Sequence, residues 1–487
     1  MVLLAAAQLV ALHVAAQMAP LSELAADQLS LMEPGGATNC ADGTPFSFLV
    51  RKGTTNADKV LVDFMGGGAC WGDRCFEDAS ISFQSISNGI MGFAAALAGQ
   101  TTEAVRALLT AFGMGAPVAL DTAVGDVSTW TYVLVPYCTQ DIHLGSCDVS
   151  YTHSTTGQRR TVRHNGAANV RTVMDWVDAQ FGTGSPPDTL AFVGCSAGAS
   201  AVVFTEAARA RQRYGSATTV VAVGDSPSNL LTEQFVRRGL VRWGADAALA
   251  QATGLNITEN LHERLVQEAL SAILTAHPTT QLAVYTRRED TTQLFQYQLM
   301  GGMVDDLEDS AAMTVWMRQN LAMLEGLASD HDNFKLFVAD GEGHCSLSFS
   351  SAIEETCVPT LSGSCCLVSP SLLTLTRGFV ECRGFAAWLE TLLEGGAPAS
   401  QTCGAQCTLG GVAGCDGAVG SGALEDRCGE CGGDGSSCAV ISTPGLSCPP
   451  LPPVIQMQTS GARRQLAAPG LLLAGAVLLG AAANSIL

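Results

Sequence analysis

Positive charge is scarce in this sequence. Lys and Arg together number 25 against 45 Asp and Glu, a formal net charge of −20 over 487 residues. A nucleic-acid partner needs a basic footprint, and this balance excludes one. It also repels a polyanionic substrate wherever no local basic patch offsets the field. Charged residues make up only 14% of the chain and apolar residues 47%, which excludes a disordered chain and implies a large buried core. The phosphate-cradling pattern G-x-x-x-x-G-K-[ST] is missing, as is any repeat of long period. No Lys or Arg stands in "MVLLAAAQLVALHVAAQ" at the start of the chain, and its apolar run is too short to span a bilayer.

What is present at the two ends sets the compartment. A short apolar run followed by the small residues Val14 and Ala16 predicts a secretory signal peptide over residues 1–16. In a secreted chain the 18 cysteines are disulfide partners by default, and Asn256-Ile257-Thr258 has the pattern of a glycosylation acceptor, a pattern that unused sequons share. At the other end an apolar tail, 466–487, follows the small residues Ser460, Gly461 and Ala462 and a short polar spacer. That is the layout of a GPI-attachment signal. A C-terminal membrane anchor shares the tail, but no Lys/Arg cluster follows it, which favours the GPI reading. Either way the expectation is a secreted or cell-surface protein with membrane attachment through the tail.

Between the ends the pattern alternates. Short apolar runs at 59–65, 131–137, 190–195, 219–225, 282–286 and 334–340 are bounded by Gly, Pro, Asn or Asp, and helical periodicity fills 169–181, 199–214 and 311–328. Continuous apolar strands separated by helices predict a doubly wound, mostly parallel α/β sheet covered on both faces, with its chemistry at the carboxyl ends of the strands. The expected catalytic domain is 40–395. Residues 401–448 hold seven cysteines amid Gly and Ser. Cys428 and Cys431 have the spacing of a zinc half-site, but a disulfide segment suits the compartment better. A stiff Pro-containing linker, 449–465, leads to the tail.

The stretch Gly194-Cys195-Ser196-Ala197-Gly198 sits between a strand-like and a helix-like run. A G-x-S-x-G nucleophile elbow needs small neighbours because the turn is tight and strained. A serine hydroxyl also needs a base within reach. Of the eight histidines, His344 in "VADGEGHCS" follows the last strand-like run in a glycine-rich loop, where this fold class delivers its base. The acid belongs between the two, at another strand end: Asp290 is preferred, with Glu289, Asp332 and Asp340 as rivals. An acid there orients the imidazole and stabilises the imidazolium, and the order Ser, Asp, His is that of α/β-hydrolases. "DFMGGGACWGDRC" (63–75) supplies three glycines after a strand, so Gly67 and Gly68, with Ala197, are the expected oxyanion donors. Cys70 and Cys75 are expected to close a small loop there. His143 and His164 suit substrate contact or structure. A thiol nucleophile at Cys195 or Cys345 is disfavoured by burial and by the oxidising compartment.

Seven blocks in register, "FMGGGACW", "VPYCTQDIHLGSC", "RHNGAANVRTVMDWV", "VGCSAGASA", "VGDS", "DTTQ" and "GEGHCS", resemble the pectin acetylesterase family, which also contains the Wnt-deacylating lipase Notum. The resemblance covers about residues 40 to 395. It implies an α/β-hydrolase-type serine esterase without metal or organic cofactor: Ser196 as nucleophile, Asp290 as acid, His344 as base, and Gly67, Gly68 and Ala197 as oxyanion donors. Trp71, His143 and Gln293 are the implied substrate-binding residues. The implied reaction removes O-acetyl groups from a cell-wall or extracellular polysaccharide such as pectin. A lipid-deacylating esterase of the Notum type is the alternative, and a catalytically dead surface-binding protein is the reading from another class.

Overall fold

The computed structural model describes residues 18–72, 91–111, 126–153, 155–181, 185–258, 264–302, 309–339, 343–345, 356–359, 365–368 and 385–402. The expected signal peptide, almost all of the Cys-rich segment, the Pro-containing linker and the apolar tail lie outside them. Among the described residues no helix is long and apolar enough to cross a membrane.

The strands in chain order are β1 (Leu29–Met32), β2 (Phe48–Arg51), β3 (Asn56–Phe64), β4 (Trp130–Val135), β5 (Cys147–Thr152), β6 (Arg159–His164), β7 (Thr189–Cys195), β8 (Thr219–Asp225), β9 (Gln281–Arg287), β10 (Phe334–Ala339), β11 (Thr356–Pro359), β12 (Cys365–Val368) and β13 (Gln401–Thr402). Nine of them make one sheet, in the order β1-β2-β4-β3-β7-β8-β9-β10-β13. From β4 to β13 every neighbouring pair is parallel, while β1 and β2 run antiparallel at one edge. β5 pairs with β6 and β11 with β12 as separate hairpins.

The central strands read as continuous apolar runs because both faces are covered. On one face Val62, Phe192, Ala222 and Val284 share a core with Val173 of helix α2 (Gly166–Phe181), Leu270 of α6 (Leu265–Ala276) and Leu324 of α8 (Asp309–Asp330). The segment after β7 covers the same face: α3 (Ala197–Ala201), a π-helical turn Val202–Glu206, and α4 (Ala207–Tyr214). α5 (Asp246–Thr253) and α7 (Thr291–Leu299) add Leu249 and Leu294. On the other face Leu61, Val193, Val223 and Ala283 pack with Val105 of α1 (Thr102–Ala111) and with Trp388 and Leu392 of α9 (Phe385–Leu393). Successive strand side chains alternate between the two clusters, the period of two that a pleated strand imposes.

All six expected strands and the three expected helices form, within a few residues of their expected bounds. Three features differ. The antiparallel strands β1 and β2 are only four residues long, and the strands of the β5–β6 hairpin are largely polar, so neither pair has the longer apolar run of the central strands. The expected helix 199–214 contains the π turn, where Thr205 Oγ1 donates back to Ala201 O at 3.0 Å, a local competition that loosens helices. The sheet also continues past residue 395: Gln401 and Thr402, expected to open the Cys-rich segment, pair with Phe337 and Val338.

Because the central strands are parallel, their carboxyl ends share one edge of the sheet. Phe64, Cys195, Asp225, Arg287 and Ala339 end their strands there, and every expected catalytic residue lies on a loop that follows one of them. In α/β sheets that edge is where ligands bind.

Candidate active site

Ser196 follows the last residue of β7 and precedes α3, at φ +54° and ψ −115°. This is a conformation that a non-glycine residue adopts only when its surroundings enforce it. Its N–H donates to Asp225 O at 2.8 Å, which ties the turn to the end of β8. Glycine lets two backbones close on the turn. A Cβ on Gly198 would run into Phe64 O, and one on Gly66 would lie 2.6 Å from Cys195 O. The elbow and the loop after β3 therefore touch main chain to main chain. That contact is the physical reason for glycines on both sides.

The loop after β3 exposes donors. Among the described residues the N–H groups of Gly67, Gly68 and Ala197 have no acceptor. Ala197 N–H is also a first-turn amide of the helical segment that follows the elbow, an end that favours negative charge. His143 stands behind this loop rather than in the pocket. It is 2% exposed, its Nε2–H donates to Met65 O at 2.9 Å, and its ring packs on Tyr137 and Phe64. Burial pushes its pKa down to about 4, so it is neutral and acts as a brace.

The brace has a support that the sequence did not reveal. Gln140, Ile142 and His143 all have positive φ. The Asp141 carboxylate holds this turn by accepting from Thr139 Oγ1 and from the N–H groups of His143, Gly145 and Gly166. Burial nevertheless raises the Asp141 pKa to about 6. An aspartate two residues before a histidine carries no recognisable signal; only the fold turns the four donors inward.

Asp290 caps α7, accepting from Gln293 N at 2.9 Å, and is fully buried. His344 Nδ1–H donates to Asp290 Oδ2 at 2.8 Å. A carboxylate only accepts, so this bond puts a proton on Nδ1, and in the neutral imidazole Nε2 is then the lone pair. Among the described residues Nε2 has no hydrogen-bond partner, Ser196 Oγ included. Ser196 and His344 nevertheless line the same pocket, and catalytic hydrogen bonds are often long until substrate closes the site. Of the rival acids, Asp332 is exposed in the turn before β10, at the opposite end of the sheet, and Glu289 is half-buried. Asp340 lies outside the described residues.

A disulfide, Cys195–Cys345, joins the residue before Ser196 to the residue after His344. It rules out a thiol nucleophile at either position. Although both sulfurs and the His344 ring lie within 4.8 Å of one another, the S–S bond removes these sulfurs as metal ligands. Cys345 N–H also donates to Ser226 Oγ at 3.4 Å, and Ser226 has φ +55°. The loop after β8 thus holds the residue that follows His344. Cys70 is disulfide-bonded; its expected partner Cys75 lies outside the described residues.

The pocket has an empty volume of about 300 Å³, open solvent included. Its lining mixes hydroxyl and amide groups, from Ser226, Ser228, Asn229, Gln293 and Gln296, with apolar and aromatic groups, from Leu230, Tyr297, Met300 and Trp316. Gln293 lines it as expected. Trp71 does not; it packs edge-on against Phe235. Apart from His344, no lining side chain carries an imidazole, carboxylate, amine or thiol. The loop after β8 was missed as a wall because "DSPSNL" resembles any turn sequence; its place at a strand's carboxyl end was the available signal.

No protein-family model matches the chain, and no curated protein matches it.

Proposed function

We propose that the chain is a serine carboxylic ester hydrolase of α/β-hydrolase type. The observation that carries this reading is a serine on a strained strand-to-helix elbow, sharing one pocket with a histidine whose far nitrogen is bonded to a buried aspartate. The loop after the third strand supplies unpaired N–H groups beside the elbow, as in α/β-hydrolases.

In the reaction, Ser196 Oγ attacks the ester carbonyl carbon while His344 Nε2 takes its proton. The negative charge on the carbonyl oxygen is met by the N–H groups of Gly67, Gly68 and Ala197. The C–O bond to the alcohol then breaks, and Nε2 returns the proton to the leaving oxygen. Water repeats the sequence on the acyl-serine and releases the carboxylic acid. The resemblance to pectin acetylesterases and the hydroxyl and amide groups in the lining support an O-acetylated extracellular polysaccharide as substrate. The apolar lining residues, with Phe295 and Val315 exposed next in sequence to Gln296 and Trp316, favour a longer acyl chain as the second reading.

The test is fluorophosphonate labelling of the secreted protein, located by peptide mass spectrometry, alongside hydrolysis of a short and a long acyl ester. Label on Ser196 with faster acetyl release is the expected result, and Ser196→Ala abolishes both label and turnover. A long-chain preference moves the substrate to a lipid ester. A folded protein that takes no label is a binding scaffold instead.

A further inference from the structure

We infer that Asn229 is a specificity-determining residue, whose side-chain oxygen accepts a hydrogen bond from a hydroxyl group on the ester substrate. The inference rests on the esterase reading above and names what the site selects.

The polarity of the pocket wall is dictated by the catalytic acid. Gln293 Nε2 donates to Asp290 Oδ2 at 2.9 Å and to Thr286 Oγ1 at 3.1 Å. A carboxylate only accepts, so Gln293 must turn its NH₂ group to Asp290. Thr286 is consistent with this, because its own hydroxyl donates to Arg287 O. Gln293 Oε1 therefore points the other way, toward Asn229, at 3.4 Å. An amide oxygen also only accepts, so Asn229 must present Nδ2 to it. The remaining Asn229 atom is then Oδ1, and no ambiguity of amide orientation is left.

That Oδ1 is buried and, among the described residues, has no hydrogen-bond partner. Asn229 as a whole is 2% exposed and lines the pocket with Ser196 and His344. Among the described lining residues, only His344 Nε2 shares this condition. The first orphan is the lone pair the chemistry needs. The second is an acceptor with no role in proton transfer, held in place by a chain that starts at the acid. A buried acceptor without a donor is costly. A substrate that brings an O–H group recovers that cost, and one that lacks it leaves the acceptor stranded. Discrimination of this kind is larger than an apolar pocket achieves by shape.

The experiment measures kcat/KM of the full chain on two matched pairs. 2-Hydroxyethyl acetate against propyl acetate places the hydroxyl on the alcohol side. Methyl glycolate against methyl propionate places it on the acyl side. The wild type is expected to prefer the hydroxylated member of one pair by about 10- to 100-fold, and that pair identifies the side. In Asn229→Leu, checked for an assembled site by fluorophosphonate label on Ser196, the preference falls to near one. If that variant takes no label, Asn229→Ala is read the same way. Hydrolysis without preference in either pair overturns the inference alone, as does a preference that survives in the labelled variant. A folded wild type that neither hydrolyses any of these esters nor takes the label overturns the esterase reading and this inference with it.

Discussion

At Asp290 a single carboxylate has three tasks. It caps α7, fixes the tautomer of His344 and orients Gln293. Asparagine at this position keeps the size and one acceptor but can offer NH₂ toward Nδ1. That favours the wrong imidazole tautomer and removes the charge that stabilises the imidazolium. Asp290→Asn is expected to lower kcat about 10⁴-fold with little change in KM, measured by steady-state hydrolysis of an acetyl ester. A loss confined to KM would mean that Asp290 acts only on binding. Asp290 could be preferred from sequence over Glu289, Asp332 and Asp340 by its place after a strand. Its hold on Gln293 could not be read there, because spacing does not show which way an amide turns.

Among the elements, the elbow and the base loop are joined covalently. Ser196 ends a turn set by β7 and β8, while His344 comes from the loop after β10, three strands away in the sheet order. The Cys195–Cys345 bond spans 150 residues of chain and holds the two loops in register. Removing it is expected to cost about 2–4 kcal/mol of stability. A base displaced by about 1 Å also slows the chemistry about 100-fold. The double variant Cys195→Ala/Cys345→Ala is therefore expected to show a lower denaturation midpoint and a lower kcat, with the fluorophosphonate labelling rate of Ser196 reduced in parallel. Lower stability with unchanged labelling would make the bond a staple without a positioning role. The sequence places a cysteine beside Ser196 and another beside His344, but their pairing follows only from the way parallel strands bring distant loops to one edge.

Across the whole molecule, buried titrating groups set opposing pH trends. Burial raises Asp63 from 3.8 to about 7, with Asp225 adding to the rise and the Tyr132 hydroxyl, which donates to Asp63 Oδ2, working against it. Between those values the folded chain binds a proton that the unfolded chain has released, so this contribution to stability is lost as pH rises from 3.8 to about 7. Asp141, raised to about 6, acts in the same direction. His143 and His164 are pushed by burial to about 4 and about 3. There the unfolded chain binds the extra proton, and stability is lost as pH falls from 6.5 toward those values. Asp63→Asn removes the largest acid contribution. Its stability relative to wild type is expected to grow between pH 4 and 7, by at most about 4 kcal/mol, and to level off above. Denaturant midpoints across that range measure it; a constant difference would show that Asp63 is ionised throughout.

By itself the sequence determined the layered α/β arrangement, because continuous apolar strands are stable only when both faces are covered. It pointed to an elbow at Ser196, because a tight turn between a strand and a helix needs small residues around the serine. It also placed Asp290 and His344 at strand ends. Tertiary structure alone decided the rest. It turned His143 away from the pocket to brace Met65, closed Cys195 onto Cys345, drew Asp141 under its turn, and aimed Asn229 into the wall. Each of these depends on which loops the parallel sheet gathers at one edge and on which way a buried polar group must face to find a partner. Those relations are non-local, and no window along the chain contains them.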